Sequence, residues 1–246
     1  MKVKTILISQ PEPNSENSPY ADLIERHNVK IDFIPFIHVD GVESREVRQQ
    51  KIDLSQFTSI ILTSRNAVDH FFRIAEEMRY AIPNTLKYFC QSEAVAYYLQ
   101  KYVVYRKRKI YVARRTFQDL LEIIKKHDNE KFLLPSSDVL KPTISEGLNT
   151  LGVNWKRGIF YKTVVSDLSH LENVFYDVLV FFSPSGIKSL YENFPNYEQN
   201  NTRIAVFGNT TLSAAKEMGL RIDIQAPTPK TPSMTKALED YIKKNN

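Results

Sequence analysis

Three short stretches of this chain set hydroxyl side chains at the start of a helix, where they could bind an anion. In Asp177-Val-Leu-Val-Phe-Phe-Ser-Pro-Ser-Gly-Ile-Lys188, Ser183 suits a helix N-cap and Pro184 the first helical position. Ser183, Pro184, Ser185 and Gly186 therefore form one candidate anion site. Ser59-Ile-Ile-Leu-Thr-Ser64 runs into Arg65-Asn66-Ala67-Val68 and offers a second, with Thr63, Ser64 and Arg65. Ile204-Ala-Val-Phe-Gly208 opens into Asn209-Thr210-Thr211 and offers a third. The first N–H groups of a helix have no partner within it, so they point at whatever lies beyond the strand end. Three such ends predict a ligand carrying several negative groups.

Other chemistries find little support. None of the seven glycines forms Gly-x-Gly, so neither a dinucleotide fingerprint nor a Walker loop is available. The five histidines are scattered without metal-ligand spacing, and with Cys90 as the single cysteine no transition-metal site is expected. A Ser-His-Asp triad stays open, although no Gly-x-Ser-x-Gly elbow supports one. Cys90 follows Tyr88-Phe89 and reads as core; a lone cysteine excludes an internal disulfide framework and suits a reducing cytoplasm. No apolar run reaches the roughly 18 residues that span a bilayer, and the first nine residues read as a strand rather than a signal. The net charge is +5. The basic run Tyr105-Arg106-Lys107-Arg108-Lys109 reads as a solvated turn, without a nucleic-acid reading motif around it.

The elements that must position these residues alternate strand and helix. Strands read near 3–9, 30–38, 58–63, 86–91, 108–113, 131–135, 154–165, 178–183, 203–207 and 221–225. A helix over 65–78 places Val68, Phe71, Phe72 and Ala75 on one stripe, and 116–127 and 232–243 show similar stripes. This rhythm predicts an α/β chain of doubly wound parallel sheets, with ligands at the carboxyl ends of strands. The length suits one or two domains. The Pro-rich pieces Gln10 to Pro19 and Ala226 to Pro232 read as ordered loops. Two stretches, Lys30 to Val39 and Trp155 to Val165, are long for packed strands; whether they pair as a connector is left open by the residues themselves.

Leu62-Thr63-Ser64-Arg65-Asn66-Ala67-Val68, Phe160-Tyr161-Lys162-Thr163-Val164, Phe181-Phe182-Ser183-Pro184-Ser185-Gly186, Gly208-Asn209-Thr210-Thr211 and Ala226-Pro227-Thr228-Pro229, in this order and spacing, resemble the uroporphyrinogen-III synthase family along the whole chain. The resemblance implies two α/β lobes joined by a two-stranded antiparallel connector, with a cleft between them for substrate. The first lobe would be discontinuous, 1–34 plus 166–246, the second 40–156, and the connector strands 35–39 and 157–165.

The implied reaction, of the hydro-lyase class, closes the linear tetrapyrrole hydroxymethylbilane with loss of water and inversion of the last ring. It calls for no cofactor or metal, only a proton donor and a cleft that folds the polycarboxylate substrate. The resemblance assigns the donor to Tyr161, through the family's Tyr-x-Thr motif; taken alone the residue reads equally as a half-buried strand tyrosine. Thr210 and Thr211 would bind carboxylates or merely cap a helix, and Arg65 would pair with a carboxylate or sit in solvent. A monomer in the cytoplasm is expected, away from nucleic acid and membrane, receiving substrate from the upstream hydroxymethylbilane-producing enzyme. The rival reading is a non-catalytic bilobed tetrapyrrole-binding or sensory protein. Differences from the family pattern lie at Ser9-Gln10-Pro11, where many members have arginine, at Gln91-Ser92-Glu93-Ala94 and Leu134-Pro135-Ser136-Ser137-Asp138 in the second lobe, and at Asn209.

Overall fold

The structure, a computed structural model, describes residues 2–13 and 18–246. Residues 14–17 of the expected loop Gln10 to Pro19 lie outside the described residues. The chain divides into two compact units, residues 1–38 with 164–246 and residues 39–163.

The first unit holds a five-stranded sheet of β1 (Thr5–Ile8), β2 (Lys30–Phe33), β9 (Val178–Phe181), β10 (Arg203–Phe207) and β11 (Ile222–Ala226). Their order is β11-β10-β9-β1-β2, and every pairing is parallel. Alternate residues serve opposite faces, as the two-residue period of a strand requires. Ile6, Ile8, Val178, Val180 and Ala205 pack with Leu23 of α1 (Ala21–His27) and with Ala237, Leu238 and Ile242 of α9 (Met234–Asn245). Leu7, Leu179, Phe181, Ile204 and Val206 pack with Ile187 and Leu190 of α7 (Pro184–Asn193) and Ala215 of α8 (Asn209–Glu217). Burial on both faces explains the unbroken apolar runs that mark these strands in the sequence. The Asn246 side chain closes the unit, accepting from the Val3 N–H at 2.7 Å and donating to the Val3 carbonyl at 3.0 Å.

The second unit is built the same way on a six-stranded sheet. Its members are β3 (Ile37–Gly41), β4 (Ser59–Leu62), β5 (Lys87–Cys90), β6 (Ile110–Val112), β7 (Lys131–Ser137) and β8 (Asn154–Val165), in the order β3-β8-β7-β4-β5-β6. One face carries α2 (Ser44–Gln49), α3 (Arg65–Glu77) and α4 (Glu93–Leu99), packed on Ile60, Leu62, Tyr88 and Phe160. The other carries α5 (Phe117–Ile124) and α6 (Pro142–Leu151), packed on Ile61, Phe89, Phe132 and Leu134. Cys90 is fully buried, and burial pushes its thiol up to about 12, so it is inert core.

Of the two long stretches, the second is a strand over Asn154–Val165 as read from the sequence, and the first differs. Lys30 to Val39 is not one strand: Pro35, which has no N–H to give a ladder, stands between β2 and β3, and these belong to different sheets. β8 pairs in parallel with β7 from Asn154 onward as well as lying beside β3, so it is an integral sheet strand. The Val42 N–H donates to the Phe160 carbonyl and the Ser166 N–H to the Phe36 carbonyl, the reversed partner order of an antiparallel ladder. The helix expected over 116–127 is α5 followed by a 3₁₀ turn at Lys125–His127.

Candidate functional site

In each unit the strand order reverses direction once, and open α/β sheets bind ligands at the carboxyl ends of the strands flanking that reversal. In the first unit the flanking strands are β1 and β9. Ser9 follows β1, and the Ser183 to Gly186 turn follows β9. The Ser183 hydroxyl caps α7, accepting from the Gly186 N–H at 3.2 Å, and Pro184 stands in the first turn as the sequence predicts. A Cβ at Gly186 would stand 3.6 Å from the Oγ atoms of both Ser183 and Ser9, so both hydroxyls flank this position. Ser183 and Ser185 are half-buried, Pro184 exposed and Gly186 buried.

The neighbouring strand β10 ends at Gly208, whose φ of 86° needs a glycine, and α8 starts directly after it. Here the two threonines part company. Thr210 is exposed at the strand end, but Thr211 is only 1% exposed and its Oγ1 has no hydrogen-bond partner among the described residues. Adjacent helical positions lie about 100° apart around the axis, so Thr210 and Thr211 serve different faces. Because a buried unpartnered hydroxyl costs stability, Thr211→Val is expected to raise stability by about 1 kcal/mol. A denaturant titration reads this directly, and a clear loss would show that the hydroxyl has a partner.

In the second unit the reversal lies between β4 and β7. Thr63 and Ser64 follow β4, and the Ser64 hydroxyl caps α3 by accepting from the Ala67 N–H at 3.1 Å. Ser136 and Ser137 end β7, where a bulge between them brings Ser137 opposite Tyr161 of β8. Arg157 fastens this bend, donating to the Ser136 hydroxyl at 2.9 Å and to the Ser137 and Asp138 carbonyls at 2.7 Å each. Tyr161 lands in the middle. Its hydroxyl lies 3.3 Å from Ser64 Oγ, and its side chain is largely buried. Burial raises the phenol's pKa above its usual value of 10, while hydrogen bonds from the Ser64 side chain and the Ser137 backbone pull it down. The net shift is upward, so the phenol holds its proton at neutral pH. Either oxygen of the Ser64–Tyr161 pair can donate to the other.

Sequence reasoning had no access to the Ser137 N–H or to Arg157, because neither is visible before the bulge in β7 is known. Arg65 is exposed, its guanidinium 5.4 Å from the centre of the Tyr98 ring. Glu93 does stand in the first turn of α4, behind the Ser92 cap. A separate cavity of about 520 Å³ in the first unit opens beside the segments leading into β9 and β10, lined by residues such as Tyr176, Phe194 and Thr202. It lies at the opposite strand ends from Ser183 and Thr210.

A family model described as "Uroporphyrinogen-III synthase HemD" matches residues 18–236. The uroporphyrinogen-III synthase of Chlorobaculum parvum (strain DSM 263 / NCIMB 8327) is 26% identical over 259 residues, covering 98% of this chain and all of that protein. Among solved structures, uroporphyrinogen-III synthetase from Helicobacter pylori 26695 superposes with a TM-score of 0.63 at 18% identity, covering 98% of this chain and 99% of that one. A mutant uroporphyrinogen III synthase from the extremely thermophilic bacterium Thermus thermophilus gives 0.55 at 15% identity, over 98% and 100% of the two chains. At such identities the two structures speak for the fold alone. The match of the family model over most of the chain carries more, and with it the chain belongs to the uroporphyrinogen-III synthase family.

Proposed function

We propose that this protein is a working uroporphyrinogen-III synthase of porphyrin biosynthesis. It closes hydroxymethylbilane with loss of water and inversion of the last ring, a lyase reaction. The observation that carries the reading is the Tyr161 hydroxyl, set at the strand reversal of the second unit against Ser64. Tyr161 donates its proton to the hydroxyl leaving the first ring; the C–O bond breaks, water departs, and the pyrrole nitrogen's electrons form an azafulvene. Ser64 and Ser137, which favour the deprotonated oxygen, stabilise the phenolate left behind. The last ring then attacks the azafulvene to give a spiro intermediate, and its rearrangement ends with a proton lost from carbon. That proton restores the phenol, so the cycle closes with water as the sole by-product.

The two units, residues 1–38 with 164–246 and residues 39–163, act as separate carboxylate-holding lobes. Ser183 to Gly186 and Thr210 hold carboxylates in one lobe, Thr63, Ser64 and Arg65 in the other. On this reading the protein works as a cytoplasmic monomer supplied by the upstream enzyme; the one cysteine, Cys90, is free and buried, which suits a reducing compartment, and among the described residues no helix is long and apolar enough to cross a membrane.

The test is to incubate the protein with enzymatically generated hydroxymethylbilane, oxidise, and separate the isomers. Type III product supports the proposal; only type I, from spontaneous closure, overturns it. Product affinity is also expected to fall clearly as salt rises from about 0.1 M to about 1 M, because the Debye length shrinks from about 10 to about 3 Å. Equilibrium titration checks this. Unchanged affinity would mean that stacking rather than carboxylate capture holds the ligand.

A further inference from the structure

Behind Tyr161 lies a second layer that the reaction as described does not use. The His70 imidazole of α3 stacks on the Tyr161 ring, with centroids 5.0 Å apart and planes inclined by 18°. Arg73, one turn further along α3, donates from Nε to His70 Nδ1 at 3.2 Å. The same guanidinium donates from Nη2 to the carbonyls of Val42 at 2.8 Å and Phe160 at 3.1 Å. Phe160 directly precedes Tyr161, so one arginine fixes both the imidazole and the backbone of the tyrosine it covers. The bare Cα of Gly41 makes room: a Cβ there would stand 2.8 Å from the guanidinium carbon. An ion pair with Glu77 holds Arg73 from its other side.

We propose that His70, held by Arg73, is a positioning residue for Tyr161, and that only its neutral ring can do the work. The inference rests on the reading of Tyr161 as the proton donor. Nδ1 must keep its lone pair to accept from Arg73, which leaves the ring's one proton on Nε2. A protonated ring would lose that bond and set a second cation against Arg73. The other groups around it are Asp69 and Glu77 on α3 and Asp40 on β3. Burial first, and Arg73 next, lower the imidazole pKa, against the opposing pull of Asp69, Asp40 and Glu77. The neutral arrangement is therefore complete above the ordinary value of 6.5 and is lost as pH falls through the lower folded value.

Turnover should be followed from about pH 8 to about pH 5 for the wild type, His70→Phe, His70→Ala and Tyr161→Phe, with KM determined separately, across the range where imidazoles titrate. In the wild type kcat is expected to fall about tenfold per pH unit below the His70 transition while KM holds. His70→Phe keeps a ring over Tyr161 that cannot be protonated; its kcat should be about threefold to tenfold lower at pH 8, and the acid fall should vanish. His70→Ala should lower kcat further at similar KM. An unchanged acid limb in His70→Phe, or an unchanged kcat in His70→Ala, overturns the inference. If these variants do not fold, imidazole chemical shifts of the wild type decide: a His70 midpoint above 6.5 overturns it, and one below 6.5 supports it. Tyr161→Phe separates the two ideas. Full activity in that variant removes the donor reading and this inference together. Loss of activity there, with wild-type profiles in both His70 variants, removes the role of His70 alone.

Discussion

Tyr161→Phe is expected to lower turnover by about 10²- to 10⁴-fold, the range for a positioned general acid. The change deletes one oxygen and leaves the ring stacked on His70 and packed in the core of the second unit. It also frees Ser64, whose hydroxyl still accepts from the Ala67 N–H, so the helix cap survives. Folding stability should therefore change by only about 1 kcal/mol, the net worth of an ordinary hydrogen bond. Product affinity should move far less than kcat, because on the proposed reading the carboxylates are held elsewhere, by residues that include Ser183 to Gly186 and Thr210. Single-turnover assays with isomer separation measure the first quantity, and equilibrium titration the second. A loss below tenfold would point to water or a substrate carboxylate as the donor.

Phe160→Ala is expected to damage the fold of the second unit severely. Phe160 is fully buried, and its ring lies back over Gly158, where a Cβ would come within 2.5 Å of Cε1. Truncation removes an aromatic side chain from a packed core and leaves a cavity, at a cost of about 3–5 kcal/mol. The hydrogen bonds to its carbonyl from Val42 and Arg73 involve the backbone and are not removed. Calorimetry should show a lower unfolding temperature for this unit. A loss under about 1 kcal/mol would mean that neighbouring side chains refill the space.

The strand-to-helix junctions were legible because their signals are local. Ser183 and Pro184 state a cap and a first helical position in two residues, and Ser64 does the same before α3. Contacts distant in sequence were not legible. Tyr161 meets Ser64 only because β8 lies beside β7 and β7 beside β4, an order that periodicity does not encode. The inward turn of Thr211 depends on where α8 begins, and Gly208, with no side chain to cap with, leaves that phase unmarked in the sequence. The Lys30 to Val39 stretch misleads for a related reason. Its apolar residues suit strands on both sides of Pro35, but nothing in their pattern says that the two halves join different sheets. His70 carried no signal, since one histidine on a helix resembles many others.

The hydrogen bonding of β1 to β9 also sets an order in time. Residues 39–163 contain every strand of their own compact unit except the outer ends of β3 and β8, so they have their partners soon after they are made. β1 and β2 precede that unit and pair with each other, yet β9, on the other side of β1, begins only at Val178. At ordinary rates of synthesis that wait lasts on the order of ten seconds, and through it β1 has β2 on one edge and nothing on the other. Strand β1 is thus finished only after the whole second unit has been made, and a slow ribosome lengthens the interval in which its open edge can pair wrongly.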